Sequence, residues 1–144
     1  MCKWNESNTG RVTYELIPNV GTNILFPVKR DIGISYCRLL LHDTMLKYDS
    51  YKTGTSSSPI CDCGSGESET TEHFLLRCSN YTAARNVMFE KIESIGLFSH
   101  DQFHANVNEH LLLAPSDGCN ITKKDDRQIK DALFEYLTTV ERSL

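Results

Sequence analysis

The 144-residue chain has no apolar run approaching the roughly 18 to 20 residues that cross a bilayer as a helix, which excludes a membrane-spanning segment of that kind. Its first residues, Met1-Cys-Lys-Trp-Asn-Glu, lack the apolar core of a secretory signal, so the expected setting is intracellular, cytoplasmic or nuclear, with no membrane partner. In a reducing compartment its six cysteines are expected as metal ligands or free thiols rather than as bridges. An excess of positive charge is also missing: 15 Lys and Arg stand against 19 Asp and Glu, a net charge of −4. That argues against a protein whose main business is gripping nucleic-acid phosphates. The charge is uneven, however, at +2 for residues 1–60 and −3 for each of 61–100 and 101–144. Any contact with RNA or DNA is therefore expected to be weak and to involve the first part, at Arg11, Lys29, Arg30 and Arg38. No phosphate-cradling glycine pattern and no internal repeat is present.

The apolar fraction of 40% and charged fraction of 24% are ordinary for a globular domain. Arg11-Val-Thr-Tyr-Glu-Leu-Ile17, between turn residues at Gly10 and Pro18, reads as one short strand. From Gly33 to Lys47 the residues Ile34, Cys37, Leu41, Met45 and Tyr48 recur at spacings of three and four and predict a core helix, its face widened by Leu39, Leu40 and Leu46. Tyr48 to Ile60 reads as a polar loop that Pro59 delivers in an extended state. Beyond residue 78, Ser79-Asn80 offers a cap for a helix carrying Ala83, Ala84, Val87, Met88, Ile92 and Ile95 and ended by Gly96. Leu97–Leu113 suggests a short helix. Thr122 with Asp125 resembles a capping pair before a last helix with the stripe Ile129, Leu133, Tyr136, Leu137 and Val140. The expected fold is small and mainly α, a short N-terminal strand piece plus three to four helices around one structural zinc site. Its expected divisions are a strand and loop segment over 1–30, a zinc-stapled helical module over 31–96 and a helical tail over 97–144.

The chemistry is concentrated in Cys61-Asp-Cys-Gly-Ser-Gly-Glu-Ser-Glu-Thr-Thr-Glu-His-Phe-Leu-Leu-Arg-Cys78. Cys61, Cys63, His73 and Cys78 make a complete set of four soft or borderline ligands, the kind structural Zn²⁺ takes tetrahedrally. Residues i and i+2 of an extended segment project to one side, so Cys61 and Cys63 can share an ion, and Gly64 lets the chain turn away. His73 and Cys78 are five positions apart, about 140° on an ideal α-helix, which predicts a break between them and a helix capped at Ser79 or Asn80. Two other chemistries stay open on the residues alone. A catalytic zinc needs one position free for water, whereas four ligands close this sphere. A Cys61-Cys63 redox pair lacks the helix start that reactive thiols usually occupy. Cys37 with His42 offers two more ligands, though a buried cysteine on an apolar face accounts for Cys37 as well. His100, His104 and His110 read as surface or packed imidazoles.

Cys61-Asp-Cys-Gly64, Glu69-Thr-Thr-Glu-His-Phe-Leu-Leu-Arg-Cys78, Tyr81 and Arg85 together resemble the zinc-knuckle segment near the carboxyl end of polyproteins of LINE-type (non-LTR) retrotransposons. Gly10-Arg-Val-Thr-Tyr-Glu-Leu-Ile-Pro-Asn-Val20, Phe26-Pro27 and Arg38-Leu-Leu-Leu-His42 follow a similar order, so the resemblance covers about residues 4 to 95. It implies that Cys61, Cys63, His73 and Cys78 hold Zn²⁺ and that the parent activity is target-primed reverse transcription. Neither a polymerase aspartate motif nor the spaced carboxylates of an RNase H fold is present, and His42-Asp-Thr-Met stands where the family tends to a Gly-His-Gly-like turn. The resemblance thus points to a tail fragment or domesticated piece that is not itself an enzyme. Its expected role is accessory, helping a reverse transcriptase handle RNA or DNA beside a polymerase or RNase H neighbour. The alternative is a structural protein-interaction module whose zinc only orders the fold.

Overall fold

The computed structural model describes residues 29–115 and 121–144; the expected strand at Arg11–Ile17, with Arg11, Cys2 and Cys119, lies outside them. Among the described residues the α-helices are α1 Arg30–Leu41, α2 Lys47–Lys52, α3 Thr82–Glu93, α4 His100–Asn106, α5 Glu109–Leu113 and α6 Lys123–Val140. An isolated antiparallel bridge joins Ile60 to Ser68. The chain is mainly helical, and the short α2 occupies part of the stretch that reads as a polar loop. No helix among the described residues is long and apolar enough to cross a membrane.

Helix α6 organises the packing. Thr122 caps it, its Oγ1 accepting the Asp125 N–H at 3.2 Å, as the Thr-to-Asp spacing predicts. Ile129, Leu133, Tyr136 and Leu137 recur on one face and are all buried. That face packs most extensively on α3, and also on α1 and α5. Met88 and Ile92 come from α3, while Leu111, Leu112 and Leu113 come from α5. Burying each such side chain contributes about 1.5–3 kcal/mol before entropy is counted.

The apolar face of α1 is not the one the 34–37–41–45–48 spacing predicts. Ile32, Tyr36, Leu39 and Leu40 are buried, while Ile34, Leu41, Met45 and Tyr48 are 44%, 55%, 60% and 39% exposed. Both sets have helical spacing, so periodicity alone does not choose between them. Two tertiary facts do. His42 adopts a left-handed conformation at φ 50° and ends the helix, which takes Met45 and Tyr48 off its surface. Tyr36 then fixes the rotation, its hydroxyl donating to the Leu113 carbonyl at 2.5 Å and its ring meeting Phe134 edge-on at 5.3 Å.

Candidate metal centre

The segment leading into the cysteines is extended, as Pro59 requires. Cys61 N–H donates to the Glu67 carbonyl and Glu69 N–H to the Pro59 carbonyl, both at 2.8 Å, so the chain doubles back on itself. Gly64 and Gly66 make the reversal at φ 83° and 76°, a conformation that side-chain-bearing residues adopt only at a cost. Cys61 is thereby carried on one limb of a short hairpin, while Cys63 lies in the turn that follows it rather than continuing the extended segment expected for both.

His73 and Cys78 arrive by a different route from the expected break. His73–Arg77 stays helical but widens into a π-turn, closed by Cys78 N–H donating to the His73 carbonyl at 2.7 Å. A π-turn holds more residues per turn than an α-helix, closing its hydrogen bond between residues five apart, so such residues come back closer to one another than they do on an α-helix. The extra residue in the turn is what lets a five-residue spacing present both ligands on one side. The helical path breaks only at Cys78, where ψ is 124°, and a 3₁₀ turn over Ser79–Tyr81 precedes α3. The cap expected at Ser79 or Asn80 is accordingly absent; Tyr81 occupies the N-cap position without a side-chain bond.

The four ligand atoms of Cys61, Cys63, His73 and Cys78 all lie within 4.8 Å of one another. Cys61 Sγ is 3.7 Å from Cys78 Sγ, and Cys63 Sγ is 3.4 Å from His73 Nε2. Tetrahedral zinc, with Zn–S of about 2.3 Å and Zn–N of about 2.0–2.1 Å, sets its sulfurs about 3.8 Å apart and a sulfur and nitrogen about 3.5 Å apart. The donor set and its spacing fit such an ion, and the group can bind a metal.

The thiols differ in their electrostatic surroundings. Burial pushes the Cys61 thiol up to about 12 and raises Cys78 as well. Cys63, in the more open turn, is pulled down to about 5, first by the hydrogen bond between its Sγ and the Ser65 hydroxyl at 3.2 Å. Burial thus disfavours the thiolate form of Cys61 and Cys78 where no cation stands beside them. A dication among the four donors supplies the charge that favours all three thiolates.

Around the donors stands a shell that the spacing argument did not contain. Glu67 Oε2 lies 2.7 Å from His73 Nδ1 and 3.4 Å from Arg77 Nε, so the imidazole is oriented with Nε2 toward the sulfurs. Its signal, a carboxylate six residues before the histidine, is one that loops commonly carry without consequence. Arg85 is buried and donates to the Cys78 carbonyl at 2.8 Å, tying α3 to the last ligand. Tyr136 of α6 donates to the Phe74 carbonyl inside the π-turn at 2.8 Å. Buried Glu69 accepts the Lys47 N–H at 2.8 Å and pairs with Arg142 at 3.1 Å.

Comparison with known proteins bears on the origin of this arrangement. Over 98 residues, 66% of the chain, it is 33% identical to the Retrovirus-related Pol polyprotein from type-1 retrotransposable element R1 3 of Nasonia vitripennis. The chain spans 23% of that polyprotein. No protein-family model matches the chain. No solved structure matches it either.

The remaining candidates separate clearly. Lys29 and Arg30 are exposed at the start of α1, and Arg38 lies on the same helix, while Arg11 is outside the described residues. Lys29 and Arg38 line a groove of about 670 Å³ between α1 and the end of α6. Arg38 is already engaged there, its guanidinium donating to the Leu144 carbonyl. Cys37 and His42 are not gathered as a ligand pair, because His42 Nε2 faces Glu109.

Proposed function

We propose that this chain is a zinc-binding accessory module of a non-LTR retrotransposon reverse transcriptase, a fragment or domesticated piece that assists RNA or DNA handling and carries no polymerase catalysis of its own. The observation that carries the reading is the convergence of Cys61, Cys63, His73 and Cys78 at tetrahedral spacing in a chain similar to a retrotransposon Pol polyprotein. One Zn²⁺ among these four residues closes its coordination, so its part is structural: it ties the hairpin to the π-turn and, through Arg85 and Tyr136, to α3 and α6. Lys29 and Arg30, with Arg11 and Arg38, are the side chains assigned to phosphate contact. With a net charge of −4 that contact is weak and depends steeply on salt.

Two measurements test the reading together. Protein purified without chelator carries one zinc per chain, and the ion is lost in Cys61→Ser. In a gel shift at low ionic strength, RNA or single-stranded DNA is retarded, and Lys29→Glu with Arg30→Glu weakens the shift across all sequences. Absence of metal, or of any salt-sensitive shift, would falsify the corresponding half. A second reading is favoured by exposed Ile34, Leu41 and Met45 around α1: zinc only orders the fold, and this apolar surface docks on a polymerase or RNase H neighbour. In that case Leu41→Asp abolishes association with the neighbour and leaves any nucleic-acid shift unchanged.

A further inference from the structure

Glu93, the last residue of α3, and His100 and His104, the first and fifth of α4, bring a second group of ligating side chains together. We propose that these three residues form an open site for a divalent transition-metal ion of the imidazole-preferring class, such as Zn²⁺, Co²⁺ or Ni²⁺, independent of the cysteine cluster. Histidines at i and i+4 stand one above the other on a helix, the spacing at which two imidazoles chelate one ion. Glu93 lies across both. Its Oε2 is 3.1 Å from His100 Nδ1 and its Oε1 is 3.0 Å from His104 Nε2. One ligand atom from each of the three residues falls within 4.8 Å of the other two. Ligands bound at about 2.1 Å in octahedral or tetrahedral positions sit roughly 3.0–3.4 Å apart, so the Glu93 oxygens already stand at coordination spacing from the two imidazoles.

The frame that holds these donors is independent of any ion. Ser99 and Gln102 form a reciprocal capping box that fixes the first turn of α4 and with it His100. Gly96, at φ 80°, makes the turn that brings α4 back beside the end of α3. Phe89 meets His104 edge-on at 6.0 Å and Phe103 at 5.2 Å, giving the site an aromatic wall on one side. The other side is open, since the side chains of His100 and His104 are 70% and 45% exposed while that of Glu93 is only 23% exposed. Two imidazoles and a carboxylate are a ligand set that leaves positions for water or an outside donor. An ion here exchanges readily, in contrast to one enclosed by three sulfurs and an imidazole.

The test uses the full chain, stripped of metal and titrated with Co²⁺ under reducing conditions. The wild type binds two equivalents, the first with a sulfur-to-cobalt charge-transfer band and the second without one. His104→Gln, at an exposed position, binds one equivalent with the charge-transfer band unchanged, whereas His110→Gln still binds two. Glu93→Gln keeps both imidazoles and weakens the second equivalent by about tenfold or more. A brief wash with a mild chelator removes the second equivalent and leaves the first. The proposal is overturned if the wild type binds no thiolate-independent equivalent up to millimolar Co²⁺. It is equally overturned if His104→Gln and His100→Gln each bind as many ions as the wild type, the three side chains then being a hydrogen-bonded histidine–carboxylate group only. In Cys61→Ser with Cys78→Ser, a cobalt equivalent that still disappears with His104→Gln separates this site from any failure of the cysteine cluster.

Discussion

Glu67 is the residue whose role is least visible in the sequence and most definite in the structure. Its carboxylate holds His73 Nδ1, and groups that orient a metal-bound histidine typically account for 10- to 100-fold in metal affinity. Glu67→Gln should therefore retain one zinc but bind it about tenfold more weakly, measured by competition with a chromophoric chelator. Cys61→Ser, which removes a ligand, should lose the ion altogether. A second residue-scale prediction concerns His42, which ends α1 and faces Glu109 at the start of α5. The bond to Glu109 raises the His42 pKa above its ordinary value, which means that the folded state favours the protonated ring. The stability contributed is fully present below the unfolded value of about 6.5 and is lost as pH rises through the raised folded value. Urea unfolding should accordingly show stability falling above about pH 6.5, by up to about 1 kcal/mol for this partly exposed pair, and Glu109→Gln should remove that slope.

At the scale of elements, the cluster depends on two pieces of irregular backbone, a hairpin reversed at two left-handed glycines and a π-turn. Among the described residues the Phe74 carbonyl inside the π-turn accepts a side-chain hydrogen bond from Tyr136, and both residues are buried. Tyr136→Phe deletes only the hydroxyl and leaves that carbonyl short of a donor, so it should cost about 1–3 kcal/mol and loosen metal binding as well. Comparing chemical denaturation with metal affinity in the same variant distinguishes this from a purely local packing defect. Helix α6 carries a further test in its buried ion pair, Lys130 Nζ to Asp126 Oδ1 at 3.2 Å. Lys130→Met leaves a buried carboxylate unpaired and should destabilise by about 3 kcal/mol or more. The double replacement Asp126→Leu with Lys130→Met should recover most of that loss, because the charged pair gains little over apolar groups of similar size.

For the molecule as a whole, the cysteine–histidine cluster and the helical core are joined through α3 and α6. Arg85 reaches from α3 to the Cys78 carbonyl, and Tyr136 reaches from α6 into the π-turn. A structural zinc contributes on the order of 10 kcal/mol in small peptides, comparable to the stability of a whole domain. Removing it should thus be felt beyond the cluster. EDTA is expected to lower the thermal midpoint of the entire chain, with the helical signal and the aromatic near-ultraviolet signal falling together. A chain that melts at the same temperature with and without chelator would show that α1, α3 and α6 stand without the ion.

The sequence by itself picked out the four candidate ligands that the structure gathers, because residue identity and a polar, glycine-bearing loop between paired cysteines and histidine are local properties. It also determined the last helix, where Thr122, Asp125 and a single unambiguous apolar stripe agree. What it left undecided has one physical cause, competition between local patterns that only distant contacts resolve. Both faces of α1 carry helical spacing, and the Tyr36 contacts with Leu113 and Phe134, on segments more than seventy residues away, select the buried one. An ideal α-helix separates His73 from Cys78, and the wider π-turn, supported by Tyr136 from α6, brings them together. His100 and His104 read as ordinary surface residues until the Gly96 turn sets them against Glu93. The candidate ligands belong to the sequence, and their convergence belongs to the tertiary structure.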